Sequence, residues 1–191
     1  MNTDINKIIK LSSDLIKIES TKDKPDNLVK TLEVANNELQ GFVLKEFNNN
    51  RIQSHLYSNK KTDSFKIILN AHLDVVAGNK SQFKPIIKGD RLIGRGAYDM
   101  KASAAVEILV FNEIASQVNY PIALQLVTDE EIGGVNGTKH QIEKGIKSDF
   151  IHMLDPRTPE VSQSHITNSG DTVFAKVEKF EGQVVATLEL H

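Results

Sequence analysis

The chain of 191 residues, 39% hydrophobic and 25% charged, has the size and balance of one globular domain with a real core. Lys+Arg of 23 against Asp+Glu of 25 leaves a net charge of -2, which offers no general attraction to nucleic acid or to a membrane surface. There is no cysteine, so disulfides are excluded and any metal site must use His, Asp and Glu; with no signal-peptide pattern and no apolar run able to span a bilayer, a cytoplasmic enzyme or binding protein is expected.

Apolar residues Ile5, Ile8, Ile9, Leu15 and Ile16 recur at helical spacing and predict an amphipathic helix over Asp4 to Ile18. Pro25 opens a second helix running to about Leu39, ended by Gly41. Phe42 to Phe47 and Ile52 to Tyr57 read as strands joined at Asn48-Asn49-Asn50. Lys66 to Ala71 is a strand buried on both faces, as in a parallel sheet, and it runs into Asn70-Ala71-His72-Leu73-Asp74. Pro85 to Ile87 and Leu92-Ile93 flank Lys88-Gly89-Asp90-Arg91 as a small hairpin. Ala102 to Val118 is apolar almost all round, interrupted by Glu107, Asn112 and Glu113, and predicts a mostly buried helix. Pro121 to Val127 is the next buried strand, Thr128 to Gly134 its exit loop, Gly137 to Ile146 a helix, and Phe150 to Leu154 a short strand ending at Asp155-Pro156. Arg157 to Asn168 is turn-rich, and Asp171 to Phe180 and Gln183 to Leu190 alternate like two strands around Glu181-Gly182.

Strand, helix, strand, helix, strand is the order of an α/β domain with a largely parallel central sheet flanked by helices. Ligands of such sheets collect beyond the carboxyl ends of the strands. His72 and Asp74, then Asp129, Glu130 and Glu131, then Asp155 fall at such ends, and Asp99 falls in a glycine-rich loop just before a helix. Each has a plain alternative. Asp99 could be an N-cap, worth about 1 kcal/mol. Thr128 to Glu131 fits a capping box, although Gly133-Gly134 directly behind it favour an exposed loop. Asp155 before Pro156 could be a turn. Gathered on one rim, however, several acids repel one another and raise each other's pKa, which a divalent cation would relieve. Oxygen and imidazole donors suit zinc, manganese or cobalt, and two adjacent glutamates allow one to ligate and the other to act as general base on an activated water.

Asn70 to Val76, Gly94-Arg95-Gly96-Ala97-Tyr98-Asp99-Met100-Lys101 and Thr128-Asp129-Glu130-Glu131-Ile132-Gly133-Gly134 closely resemble three signatures of one metallohydrolase family. That family contains acetylornithine deacetylase, succinyl-diaminopimelate desuccinylase, aminoacylase and glutamate carboxypeptidase. The resemblance covers residues 5 to 156 and implies the N-terminal part of a catalytic α/β domain over 1 to 156, with one or two zinc ions, cobalt or manganese being alternatives. By motif position His72 would hold one metal, Asp99 would bridge, Glu131 would hold the second, Glu130 would be the general base, and Asp74 would orient His72. Asp155 resembles the family acid that joins His72 on the first metal. The resemblance also implies a cis peptide after Asp99.

The implied activity is hydrolysis of an amide bond in N-acyl amino acids or small peptides; the alternative is an inactive fragment or binding module holding at most one metal. Members of that family are longer, with a lid domain after the Asp-Pro region and a late histidine on the second metal, so residues 157 to 191 are read as a β-rich ending or the start of a lid. None of the histidines after His72, namely His140, His152, His165 and His191, stands in a context like that late histidine. An exposed sheet edge is expected to favour self-association.

Overall fold

A computed structural model describes residues 5–89 and 91–154, together with the backbone of three further strands at 162–166, 172–180 and 183–190. Helix α1 (Ile5–Ile16) buries Leu11, Ser12, Leu15 and Ile16, and its opposite face carries the ion pairs of Asp14 with Lys10 and Lys17. In α2 (Pro25–Glu38) proline sits in the first turn, where the missing N–H costs nothing, and Leu28, Thr31, Leu32 and Ala35 make the buried stripe. Strands β1 (Val43–Asn49) and β2 (Ile52–Ser58) pair antiparallel around Asn50 and Arg51, both at positive φ. Strand β3 (Ser64–His72) follows, then a small hairpin of β4 (Ile86–Lys88) and β5 (Arg91–Ile93); the Asp90 of its predicted turn lies outside the described residues. Helix α3 (Ala102–Ile114), strand β6 (Ile122–Val127), the short helix α4 (Thr138–Glu143) and strand β7 (Lys147–His152) complete the domain.

The central sheet has the order β1-β2-β6-β3-β7. Both β6 and β7 run parallel to β3, while β2 is antiparallel to β6 and to β1, so of these five strands β2 alone is reversed. The predicted parallel sheet is therefore present, with an antiparallel ribbon added at one side. All six residues of the central strand β6 are buried, which matches its unbroken apolar pattern. Between the helices and one sheet face lies the main core, with Leu11, Leu15, Leu32, Ile108, Phe111, Leu124 and Leu126 among its members. The other face holds a smaller cluster of Leu56, Phe65, Ile68, Ala123 and Ile146.

Several boundaries differ from the sequence expectation. Helix α3 stops at Ile114 instead of Val118, and α4 keeps six residues of the ten predicted over 137–146, because Gly145 at φ +94 turns the chain into β7. Strand β7 begins earlier than expected, at Lys147, whose polar face pairs along the start of β3. Strands β9 (Thr172–Phe180) and β10 (Gln183–Leu190) pair antiparallel as their alternation predicts. The turn-rich stretch before them contributes a further strand, β8 (Ser162–Ile166), paired to β9. Its composition is polar, so the backbone ladder and not an apolar pattern defines it.

Candidate metal centre

The parallel pairing of β3 with β6 sets His72 beside Val127, and the next backbone bond, Leu73 N–H to Val127 O at 2.9 Å, continues the ladder past the strand ends. His72 is fully buried, and its backbone N–H points at the sulfur of Met100 at 3.4 Å. Its Nδ1 lies 3.0 Å from the carbonyl oxygen of Asp74 and 3.4 Å from the Asp74 carboxylate. On the other side of the ring, Nε2 lies 3.0 Å from Oδ1 of Asp99 and 3.8 Å from Oε2 of Glu130.

Asp99 reaches this position from a loop built for it. Gly96 takes φ +78, and a side chain there would meet Val75 Cγ1 at 2.6 Å, so the turn both needs the left-handed conformation and has no room for a Cβ. The peptide Asp99–Met100 is cis, as the resemblance implied. The Asp99 backbone (φ -123, ψ 104) is extended, and the residue at the N-cap of α3 is Lys101, so Asp99 is not that N-cap. Lys101 follows, buried, and its ammonium donates to the carbonyls of Leu15 at 2.9 Å and Ile18 at 2.8 Å, tying this loop to the end of α1. Burial pushes the Lys101 amine down to about 7, with Asp74 opposing.

The two glutamates leave β6 on a single turn of 3-10 helix, Glu130–Ile132. The predicted capping box does not form. Thr128 donates instead to Gln53 O at 2.7 Å, and the N–H groups of Glu130 and Glu131 donate to the two carboxylate oxygens of Asp74, at 3.2 and 2.9 Å. Gly133 (φ +104) and Gly134 (φ +66) then reverse the chain in conformations that a side chain would strain. Asp129, buried and turned away, accepts the N–H of Asn136 at 2.7 Å and of Gly137 at 3.1 Å, so it holds the returning loop and is not part of the rim.

His72, Asp99 and Glu131 each offer a ligand atom, and these atoms lie within 4.8 Å of one another. Among the described residues they form a set of one imidazole and two carboxylates, which fits a divalent cation that accepts nitrogen and oxygen donors. The electrostatics agree. Burial first, then the charges of Asp99 and Asp74, push the Glu131 carboxyl up, against the pull of His72. Burial favours the neutral His72 ring, yet hydrogen bonds and charge from Asp74 and Asp99 outweigh it and carry the imidazole up to about 10. In both cases surplus negative charge waits for a positive partner. Asp155, the remaining expected ligand, lies outside the described residues.

A buried histidine beside the Asp74 carboxylate, with two further acids converging at the carboxyl ends of parallel strands, is a candidate metal site in an α/β fold. Residues 68–188 match the family described as Peptidase family M20/M25/M40, and the chain belongs to that family. It is 32% identical over 124 residues to succinyl-diaminopimelate desuccinylase of Pelagibacter ubique, which covers 58% of this chain and 32% of the relative. It is 31% identical over 131 residues to N-formyl-4-amino-5-aminomethyl-2-methylpyrimidine deformylase of Bacillus subtilis, covering 62% of this chain and 29% of that one. The chain thus spans about a third of the length of these curated relatives. Among solved structures, human carnosine dipeptidase 1 aligns with a TM-score of 0.65 at 18% identity over 83% of this chain and 40% of its own. A metallo-carboxypeptidase of the same family from Sulfolobus solfataricus aligns with a TM-score of 0.65 at 21% identity, over 86% and 41% respectively. At those identities the structural likeness speaks for the fold. Among the described residues no helix is long and apolar enough to cross a membrane.

Proposed function

We propose that this chain carries the N-terminal part of the catalytic centre of a zinc-dependent amidohydrolase acting on N-acyl amino acids or small peptides. The convergence of ligand atoms of His72, Asp99 and Glu131 to within 4.8 Å of one another, with Glu130 beside them, carries the reading. His72 and Asp155 would hold one metal, Asp99 would bridge, and Glu131 would hold the second, cobalt or manganese being alternatives to zinc. When bound, such a metal would polarise the scissile carbonyl and make water easier to deprotonate. The remaining work falls to side chains of this chain. Glu130 stands 3.8 Å from His72 Nε2, on a backbone fixed by Asp74. Its carboxylate takes a proton from the attacking water and gives it to the nitrogen of the leaving amine, so that one residue serves both half-steps. Asp74 orients His72 through Nδ1 and at the same time sets the position of both glutamates.

The relatives named as a desuccinylase and a deformylase support an acyl-amide substrate, since each of those names describes removal of an acyl group from nitrogen. A one-metal binding module is the second reading, favoured by the single three-residue cluster found among the described residues. Both edges of the central sheet, β1 and β7, are unpaired among the described strands, which supports self-association. The test of the main reading is Glu130→Gln. Turnover of a reactive N-acyl amino acid should fall by roughly 10²-fold or more with zinc uptake retained, as expected for loss of general acid–base catalysis. Equal turnover by the variant would remove Glu130 from the chemistry.

A further inference from the structure

We propose that Glu107 is a positioning residue for the metal centre: from the helix that follows the Asp99 loop it fixes the exit of β7, and through it Asp155. The inference rests on the amidohydrolase reading above, in which Asp155 joins His72 on one metal, and adds the group that sets where Asp155 starts. Glu107 stands near the middle of α3 and is the one charged residue among that helix's buried positions, beside Ala104, Ala105, Ile108 and Phe111. Its Oε1 accepts the Leu154 N–H at 2.9 Å and lies 3.7 Å from His152 Nδ1. Asp155 is the next residue in the chain.

The bond falls where the sheet has stopped supplying partners. Strand β7 is an edge of the central sheet, paired there to β3, and that pairing ends at Leu69 with His152. Met153 and Leu154 run on past the ladder, packed against the main core, so the partly buried Leu154 N–H needs an acceptor from elsewhere. Glu107 supplies it. An acid is a costly choice at this place: taking a carboxylate out of water is unfavourable, and an apolar side chain of similar volume would fill the stripe of α3 without that cost. Its Oε2 is buried with no hydrogen-bond partner among the described residues, so no wider polar network offsets the burial. What the acid gives is a fixed strand end. The same device holds the exit of β6, where Asp74 accepts the N–H groups of Glu130 and Glu131. Because α3 begins just after Asp99, with Lys101 at its N-cap, the Glu107 bond also ties the exit of β7 to the element that presents Asp99.

Zinc affinity of the full chain, measured by calorimetry, tests this in a double-mutant cycle of Glu107→Leu and Asp155→Asn. Glu107→Leu should weaken zinc binding about tenfold, the scale for losing a group that orients a metal ligand, whereas Glu107→Gln, which keeps an acceptor oxygen, should stay within about twofold of the parent. In the Asp155→Asn background Glu107→Leu should have no further effect, because the carboxylate it positions is already gone. A merely structural role would weaken both backgrounds equally and would not be rescued by glutamine. If the leucine variant does not fold, Glu107→Asp makes the same comparison with the charge kept, its side chain being one methylene too short to reach Leu154. Parent-like affinity in Glu107→Leu, a matching loss in Glu107→Gln, or an equal loss in both backgrounds overturns the positioning role alone when Asp155→Asn itself weakens binding. Parent-like affinity in Asp155→Asn, or a parent chain that takes up no zinc, defeats the amidohydrolase reading of the first metal and the positioning role with it.

Discussion

Asp74 does more than its place two residues after His72 suggested. Alternation along a strand made a steering carboxylate legible, because residues i and i+2 face the same way. What alternation could not show is that both oxygens of that carboxylate also accept the backbone N–H groups of Glu130 and Glu131, more than fifty residues later in the chain. One side chain therefore couples His72 to the proposed base Glu130 and to Glu131. Asp74→Asn keeps the size but replaces an acceptor by a donor facing an N–H. It should weaken zinc binding roughly 10- to 100-fold, the usual scale for losing a group that orients a metal ligand. Competition against a chromophoric chelator measures this, and an unchanged affinity would reduce Asp74 to a bystander. Gly137 makes a related point on stability. A Cβ there would stand 2.3 Å from Asp129 Oδ1 and 2.9 Å from Val127 Cβ, so Gly137→Ala should cost about 1–3 kcal/mol by overpacking, read from urea denaturation.

At the scale of elements, the strand-end rule placed His72 and the two glutamates correctly because β3 and β6 are parallel neighbours whose ladders end together. The glycine-rich loop was equally legible, since Gly96 marks a turn that only glycine fits. Helix α3 was not. Its Glu107 read as a break in an apolar run, but the structure buries it at 1% exposure, where it accepts Leu154 N–H at 2.9 Å and lies 3.7 Å from His152 Nδ1. A partner on a distant strand leaves no periodic trace in the sequence. Burial pushes the Glu107 carboxyl up to about 7, with His152 and the Leu154 N–H pulling the other way. Its pKa is thus higher folded than unfolded, so the folded state binds the extra proton. Stability is favoured by this group below about 4.5 and declines as pH rises through 7, by up to about 3 kcal/mol at the conversion of 1.36 kcal/mol per pKa unit. Glu107→Gln keeps the acceptor for Leu154 and removes the titration. Denaturation midpoints of that variant should lose this downward slope between pH 5 and 7, and a slope identical to the parent's would show that another group causes it.

For the molecule as a whole, the order of strands and helices was readable because apolar runs and breakers alternate cleanly through residue 154, whereas β8 was not, its residues carrying no apolar alternation. The match to the family reaches residue 188, so it extends beyond the Asp-Pro segment and takes in β8, β9 and most of β10. The surplus charge around His72, Asp99 and Glu131 also has a global consequence. A ligand that binds the folded state alone stabilises it by about 2.7 kcal/mol at a hundredfold excess over its Kd. For a chain of this size zinc should therefore raise Tm by roughly 5–10 °C, reversed by a chelator. A Tm indifferent to zinc would mean that the acids at the strand ends do not form a metal site in the folded chain.

The most direct measurement of the central claim is a calorimetric zinc titration of the metal-free chain beside its Asp99→Ala variant. Asp99 stands 3.0 Å from His72 Nε2 and offers a ligand atom within 4.8 Å of those of His72 and Glu131. The chain should bind zinc at this site, and Asp99→Ala should weaken that binding by about 100-fold or more while the circular dichroism spectrum stays that of the parent. Zinc binding of equal affinity in parent and variant, or none in either, would contradict the assignment of His72, Asp99 and Glu131 as a metal centre.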